Sequence, residues 1–358
     1  MAENFSRAQP AVRLDSVQML RAIAAVTVVT HHISLFANGE WGVDLFFVIS
    51  GFIMCYVTEE SGRHFLAKRI IRIVPLYWAG TIGVFCIALM MPGLLNFTTA
   101  SFEDLVKSLM FIPFKKGDRV FPVLFLGWTL NFEMFFYLLF AASMALRHKH
   151  RAIVSSALIL AIVVAGQLIH FESVPVRFLA EPIILEFAFG MLCYTFLVRD
   201  TLERPQDRPI ISRILWTSAG ALLIACMPIA TWLVPSEDRV VRWGILATLS
   251  FYCIVRGLSG VRLPRWLVMI GDASYSLYLF HPYVVQIFTK IGVFSRRDTG
   301  AYFMALVVIV LCCGLSVLSY TYVEKPVSEF LRRKLIDRGP RRTAPEAPLG
   351  PPKQGPVI

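Results

Sequence analysis

SVQMLRAIAAVTVVTHHISLF, residues 16–36, is almost wholly apolar, yet it carries Arg21 and a His31–His32 pair. At 1.5 Å per residue such a run reaches roughly 30 Å, the hydrocarbon thickness of a bilayer, so it reads as a membrane-spanning helix. Arg21 and His32 are eleven residues apart. At 100° per residue that is three turns plus about 20°, with a rise of roughly 16 Å, which stacks both side chains on one face. His31 points about 80° away from that stripe and is the weaker candidate. Ionisable residues inside a span cost roughly 2.5–3.5 kcal/mol even on gentle insertion scales, so two on one stripe mark a site running through the bilayer.

The rest of the chain agrees. Its 358 residues are 56% hydrophobic and only 16% charged, with a mean hydropathy of +0.64. Soluble domains carry about 25% charged residues, so composition excludes a globular enzyme and indicates an all-α, polytopic membrane protein. Apolar runs long enough to span fall at about 16–36, 42–58, 73–91, 124–146, 152–169, 180–198, 213–234, 240–257, 267–291 and 301–323, a bundle of about ten helices. FEDLVKSLMFIPF, 102–114, is too short to cross and reads as interfacial or re-entrant. With the N-terminus inside, roughly 23 Lys/Arg fall in cytoplasmic segments and roughly 8 outside, which places both termini in the cytoplasm.

The net charge of +11 is explained by the same loop bias, so no nucleic-acid partner is expected; membrane lipids are. The seven cysteines lie in apolar runs without CxxC or metal spacing, so neither a disulfide framework nor a metal site is expected. No cleavable signal peptide is evident, because the first apolar run follows a charged segment. Domain organisation reads as a cytoplasmic segment 1–14, a transmembrane domain 15–336, and a Pro-rich basic tail 337–358 too poor in apolar residues to fold.

Beyond Arg21 and His32, three groups of residues carry candidate chemistry. In HFLAKRIIRIVPLYW, 64–78, Lys68, Arg69 and Arg72 share one basic face at the inner membrane surface. They read either as positive-inside anchoring or as a phosphate clamp, since guanidinium forks hold phosphates bidentately. Glu133 in WTLNFEMFFY and Glu186 in EPIILEFAFG are carboxylates within spans. Each needs a cation or an inward hydrogen bond, and either could orient His32 as a carboxylate does in a His-based relay, or form a structural ion pair. GDASYSLYLFHPY, 271–283, is a short Gly/Asp/Ser start leading into a helix with Ser274, Tyr275 and His281, the last at a depth similar to His32. TYVEKPVSEF, 321–330, reads as a helix end with a cytoplasmic Glu324–Lys325 pair before Pro326.

In this order these segments resemble the membrane acyltransferase-3 family, which includes bacterial exopolysaccharide and O-antigen acetyltransferases. The likeness is carried by RLDSVQMLRAIAAVTVVTHH with its Arg-x10-His spacing, GVDLFFVISGF at 42–52, KRIIRIVPLYW at 68–78, WTLNFEMFFY at 128–137, SYSLYLFH at 274–281 and VEKP at 323–326. It covers about 15–336. The resemblance implies a ten-helix core in the bacterial inner membrane that moves an acyl group, most simply acetyl, from cytoplasmic acyl-CoA to a saccharide hydroxyl. Acetyl-CoA would be a co-substrate, with no tightly bound cofactor. The resemblance makes His32 and Arg21 the essential pair, Arg69 and Arg72 the important basic stretch, and the chain a stand-alone type without a C-terminal SGNH-type domain. The acceptor would be a saccharide or a lipid-linked oligosaccharide. Self-association into a homo-oligomer, or docking on polysaccharide-synthesis machinery, stays open. The competing class is a transporter or flippase of a lipid-linked sugar using intramembrane His and Glu; the lack of an internal repeat speaks against it.

Overall fold

A computed structural model describes residues 14–337 apart from positions 37, 60–61, 92, 94, 96–99, 118, 198–208 and 235–237. The N-terminal segment up to 13 and the tail from 338 lie outside the described residues, so the expectation of an unfolded tail is not addressed.

Every apolar run becomes helix. In order these are α1 (Asp15–His32), α2 (Gly42–Val57), α3 (Phe65–Met90), α4 (Phe102–Leu109), α5 (Trp128–Ser143), α6 (His148–Leu168), α7 (Val174–Leu179), α8 (Leu185–Leu197), α9 (Ile210–Leu233), α10 (Ile245–Gly257), α11 (Arg265–Asp272), α12 (Ser274–Lys290), α13 (Thr299–Ser319) and α14 (Lys325–Leu335). The one sheet among the described residues is a two-stranded hairpin, β1 (Lys115–Lys116) with β2 (Arg119–Val120), in the loop before α5. Six helical stretches are long and apolar enough to cross a membrane, and Gly42–Val57 and Pro182–Leu197 are shorter apolar helices. The chain is an all-α, multi-pass membrane protein.

Large apolar side chains such as Leu215, Leu222, Phe303 and Val310 are exposed along α9 and α13. Such a surface suits a hydrocarbon solvent, where an outward-facing Leu costs nothing. The interior is rich in aromatics instead, with Phe187 stacked between Phe47 and Phe136.

α2 lies against α8 with almost no side chain between them. A Cβ on Gly51 would stand 2.0 Å from the Phe187 carbonyl oxygen, and one on Gly190 would stand 2.0 Å from that of Val48. Small residues that let backbones meet are how helices associate where no hydrophobic force drives them together. A valine at Gly190 therefore has to push two backbones apart. Gly190→Val should destabilise the bundle by about 1–3 kcal/mol or more, read as a lowered thermal midpoint in detergent.

Three readings of the sequence are corrected. The run 267–291 is not one helix: it breaks at Ala273, where the N–H of Ala273 closes α11 on Met269, and α12 begins at Ser274. The last helix does not stop at Glu324. Tyr320–Glu324 forms a π turn that carries α13 directly into α14, with Pro326 two residues past it. Nor does Glu324 pair with Lys325: it is buried and accepts a hydrogen bond from Ser276 Oγ at 2.7 Å.

α3 begins at Phe65, earlier than its apolar run, so Lys68, Arg69 and Arg72 occupy its first two turns. Pro75 lies inside this helix and leaves the carbonyl of Ile71 without its intrahelical donor. The hydroxyl of Ser328 on α14 reaches that oxygen at 3.5 Å, and Tyr275 of α12 donates to the nearby Ile73 carbonyl at 2.8 Å. The carbonyl released by the proline thus ties α3 to α14, and that of Ile73 ties it to α12, the helices that complete the site.

Candidate active site

Two cavities adjoin at Arg21. The inner one, about 80 Å³, is lined by Arg21, Arg69, Arg72, Glu133, Ser274 and Tyr275 together with Ser50, Tyr137 and apolar side chains of α2 and α5. The other, about 350 Å³, is lined by Gln18, Arg21, Lys68, Arg72, Asp272, Glu324, Lys325, Arg332 and neighbours. Arg21 and Arg72 belong to both. A water needs about 10–15 Å³ by this measure, so the inner cavity takes a few waters or a slender chain. The larger one has room for something bulkier.

The charge of the inner cavity is unbalanced. Three guanidiniums face it against the single carboxylate of Glu133. That carboxylate is already engaged by Ser50 Oγ at 3.3 Å and by the Tyr137 hydroxyl. Arg21 is 7% exposed, and Nη1 donates to Gln18 at 3.2 Å. Among the described residues Arg21, Arg69 and Arg72 make no ion pair, and the buried Nε of Arg69 has no hydrogen-bond partner. Buried cations left in this condition are costly unless an anion joins them. The buried hydroxyl of Ser274 is likewise unpartnered.

His32 lies beyond this cavity. The upper lining of the cavity includes Phe46, Thr129 and Tyr278. The Tyr278 hydroxyl is held by Thr129 Oγ1 at 2.9 Å, and the Tyr278 ring faces Phe46 at 6.0 Å. One turn further along α12, His281 meets His32: Nε2 of His281 is 3.2 Å from Nδ1 of His32, and the rings stand 4.8 Å apart. Nδ1 of His32 is also 2.9 Å from the Val28 carbonyl oxygen. A carbonyl only accepts, so this nitrogen carries the proton and Nε2 keeps a lone pair. Parallel placement of α1 and α12 explains the match in depth, since Arg21 is level with the start of α12 and His32 with its middle.

The structure thus gathers Arg21, Arg69, Arg72, Glu133, Ser274 and Tyr275 round one cavity and puts Lys68 at the mouth of the other. It brings His281 to His32, and the off-stripe His31 turns instead toward Glu40, 3.3 Å from its Oε1. The expectation that Glu133 or Glu186 orients His32 is overturned. Glu133 faces Ser50 and Tyr137. Glu186 is fully buried beside Asp44 and Arg239, with its Oε1 2.6 Å from where a Cβ on Gly244 would stand. The reason is packing: α8 is clamped to α2 through Gly51 and Gly190, which turns Glu186 toward Asp44 on α2 and away from α1.

Sequence reasoning missed three participants. Arg239 bridges Glu40 at 2.9 Å and the fully buried Asp44 at 2.6 Å. Asp44, in the apolar start of GVDLFFVISGF, is as conspicuous a charge in a span as Glu186. Glu324 faces Arg21 and Arg72 from its π turn. A second π turn, Val240–Gly244, follows Arg239 directly. π turns insert one residue into a helix and often mark functional positions, but no residue type announces them.

Comparison with known proteins fits this arrangement. The acyltransferase-3 family, described as an acyltransferase domain, matches residues 14–320. The exopolysaccharide production protein ExoZ of Rhizobium meliloti is 32% identical over 326 residues, covering 86% of this chain and 95% of that one. Nodulation protein 10 of Rhizobium leguminosarum bv. viciae is 25% identical over 373 residues, covering 90% of this chain and 95% of its own. The O-acetyltransferase OatA of Staphylococcus aureus (strain NCTC 8325 / PS 47) is 22% identical over 362 residues, which cover 88% of this chain and 57% of OatA. No solved structure matches. With a match from residue 14 to residue 320, spanning the inner cavity and the facing histidines, this chain belongs to the acyltransferase-3 family.

Proposed function

We propose that the protein transfers an acyl group, most simply acetyl, from cytoplasmic acyl-CoA to a hydroxyl of a saccharide destined for an exopolysaccharide or cell-surface glycan. The observation that carries this reading is the pair of cavities that share Arg21 and Arg72 in their linings and whose cations outnumber their carboxylates. The loop charge bias sets the larger cavity toward the cytoplasm, with both termini on that side and ten helices crossing the inner membrane. The relatives named for exopolysaccharide production and O-acetylation supply the acceptor class.

On this reading the CoA phosphates are held by Lys68, Arg69, Arg72 and Arg332, with Arg21 where the two cavities adjoin. The pantetheine arm fits the narrow inner cavity, a slender chain where a nucleotide would not pass. Delivery to His32 requires the Phe46 and Tyr278 rings to part. His32 Nε2 then takes the proton of the acceptor hydroxyl as its oxygen attacks the thioester carbonyl. The C–S bond breaks, the proton passes from His32 to the CoA sulfur, and an O-acyl ester and free CoA leave.

The test is direct. Purified protein in nanodiscs, given radiolabelled acetyl-CoA and membrane glycans of its host, should release CoA and label the glycan in equal amounts. Transport of a sugar without consumption of acetyl-CoA would establish the carrier reading instead. Arg72 stands in both cavities and makes no reacting contact, so Arg72→Ala should raise the KM for acetyl-CoA about tenfold with kcat little changed, the signature of lost uniform binding. An unchanged KM would remove the phosphate clamp from the proposal.

A further inference from the structure

The facing imidazoles obey the same local rule and end up inequivalent. His281 Nδ1 is 2.9 Å from the Leu277 carbonyl, as His32 Nδ1 is 2.9 Å from that of Val28. Each neutral ring therefore holds its proton on Nδ1 and a lone pair on Nε2. His281 directs that lone pair at the Nδ1–H of His32, 3.2 Å away, so one hydrogen is shared between Val28 O and His281 Nε2. His32 Nε2 meets no hydrogen-bond partner among the described residues. His281 is 1% exposed, while His32 is only half-buried, with Phe125 and His31 as its other ring neighbours.

We propose that His281 is the positioning residue of the acyl transfer: its Nε2 accepts from His32 Nδ1–H, aims His32 Nε2 at the acceptor hydroxyl, and steadies the imidazolium that forms there. The proposal rests on the reading of His32 as the base and deepens it. The proton comes from the acceptor hydroxyl to His32 Nε2 and leaves to the CoA sulfur; His281 keeps its own Nδ1 proton throughout. The aspartate of a serine-hydrolase triad fills the same office. A neutral imidazole does so here without placing a net charge at membrane depth, where a carboxylate would need a cation of its own.

Two substitutions separate this role from simple packing. H281F keeps a ring of similar size and has no acceptor; H281Q gives up the ring but offers a carbonyl oxygen near the position of Nε2. If His281 only fills space, H281F is the more active variant. If it accepts from His32, the order reverses. A lost hydrogen bond to a charged group is worth about 10- to 100-fold. H281F should therefore lose about 10- to 100-fold in kcat at nearly unchanged KM for acetyl-CoA, and H281Q should recover at least about fivefold of that. H281F equal to or faster than H281Q overturns the proposal. Should either variant fail to fold, nitrogen-15 NMR of the wild-type protein labelled at histidine decides between the same two roles. A His281 Nε2 that accepts from His32 shows a scalar coupling across the hydrogen bond to His32 Nδ1, 3.2 Å away; absence of that coupling overturns the assignment. The base reading fails separately, and only if His32→Ala still turns over.

Discussion

His32→Ala should lower acyl transfer by about 10²–10⁴-fold, the usual worth of a general base, while yield and thermal midpoint stay close to the wild type. His32 is half-buried at the end of α1, where truncation opens little space. Its loss removes the one Nε2 lone pair that the hydrogen bonds of the facing pair leave free. The rate is read as acetyl-CoA-dependent CoA release with acceptor present. His31→Ala is the matched control: that ring turns to Glu40, and its loss should cost less than about threefold. Wild-type turnover in His32→Ala would remove the base from the mechanism and leave the histidine pair a packing feature.

Arg239→Met should be the most damaging change to stability outside the site. Asp44 and Glu186 are both 0% exposed; Arg239 pairs with Asp44 at 2.6 Å, and Glu186 lies beside that pair. Breaking a buried ion pair by removing one partner costs about 3–5 kcal/mol, because the remaining charge stays buried without compensation. Arg239→Met should therefore lower the thermal midpoint sharply and reduce the amount of folded protein recovered from membranes. Neutralising the carboxylates in the same chain, with Asp44→Asn and Glu186→Gln, should restore most of the loss. A single variant as stable as the wild type would show that the cluster stays solvated and is not a structural lock.

The helices are legible from the sequence because apolar length is a local property, and so is the pairing of Arg21 with the basic start of α3, because cations in or beside a span are conspicuous. What a given charge faces is less so. Glu186 announces itself as a carboxylate needing a partner, but its neighbour, Asp44, is 142 positions away and is selected by the close approach of two glycines. Glu324 reads as a helix end because a proline follows two residues later; the π turn that carries the helix through has no residue signature. The depth of His281 relative to His32 is legible too. Its contact with that ring depends on which helices are neighbours, and periodicity along one helix does not contain that information.

The Phe46–Tyr278–Thr129 wall between the arginine cavity and the histidine pair matters to the cell as a whole. A site that receives its donor from one side of a membrane and serves an acceptor on the other is, if open end to end, a conduit. Protons and small ions would drain through it under any electrochemical gradient across that membrane. On the proposed acyl-transfer reading, two aromatic rings and a bonded hydroxyl make the chamber an airlock, so that group transfer across the bilayer would proceed without a short circuit.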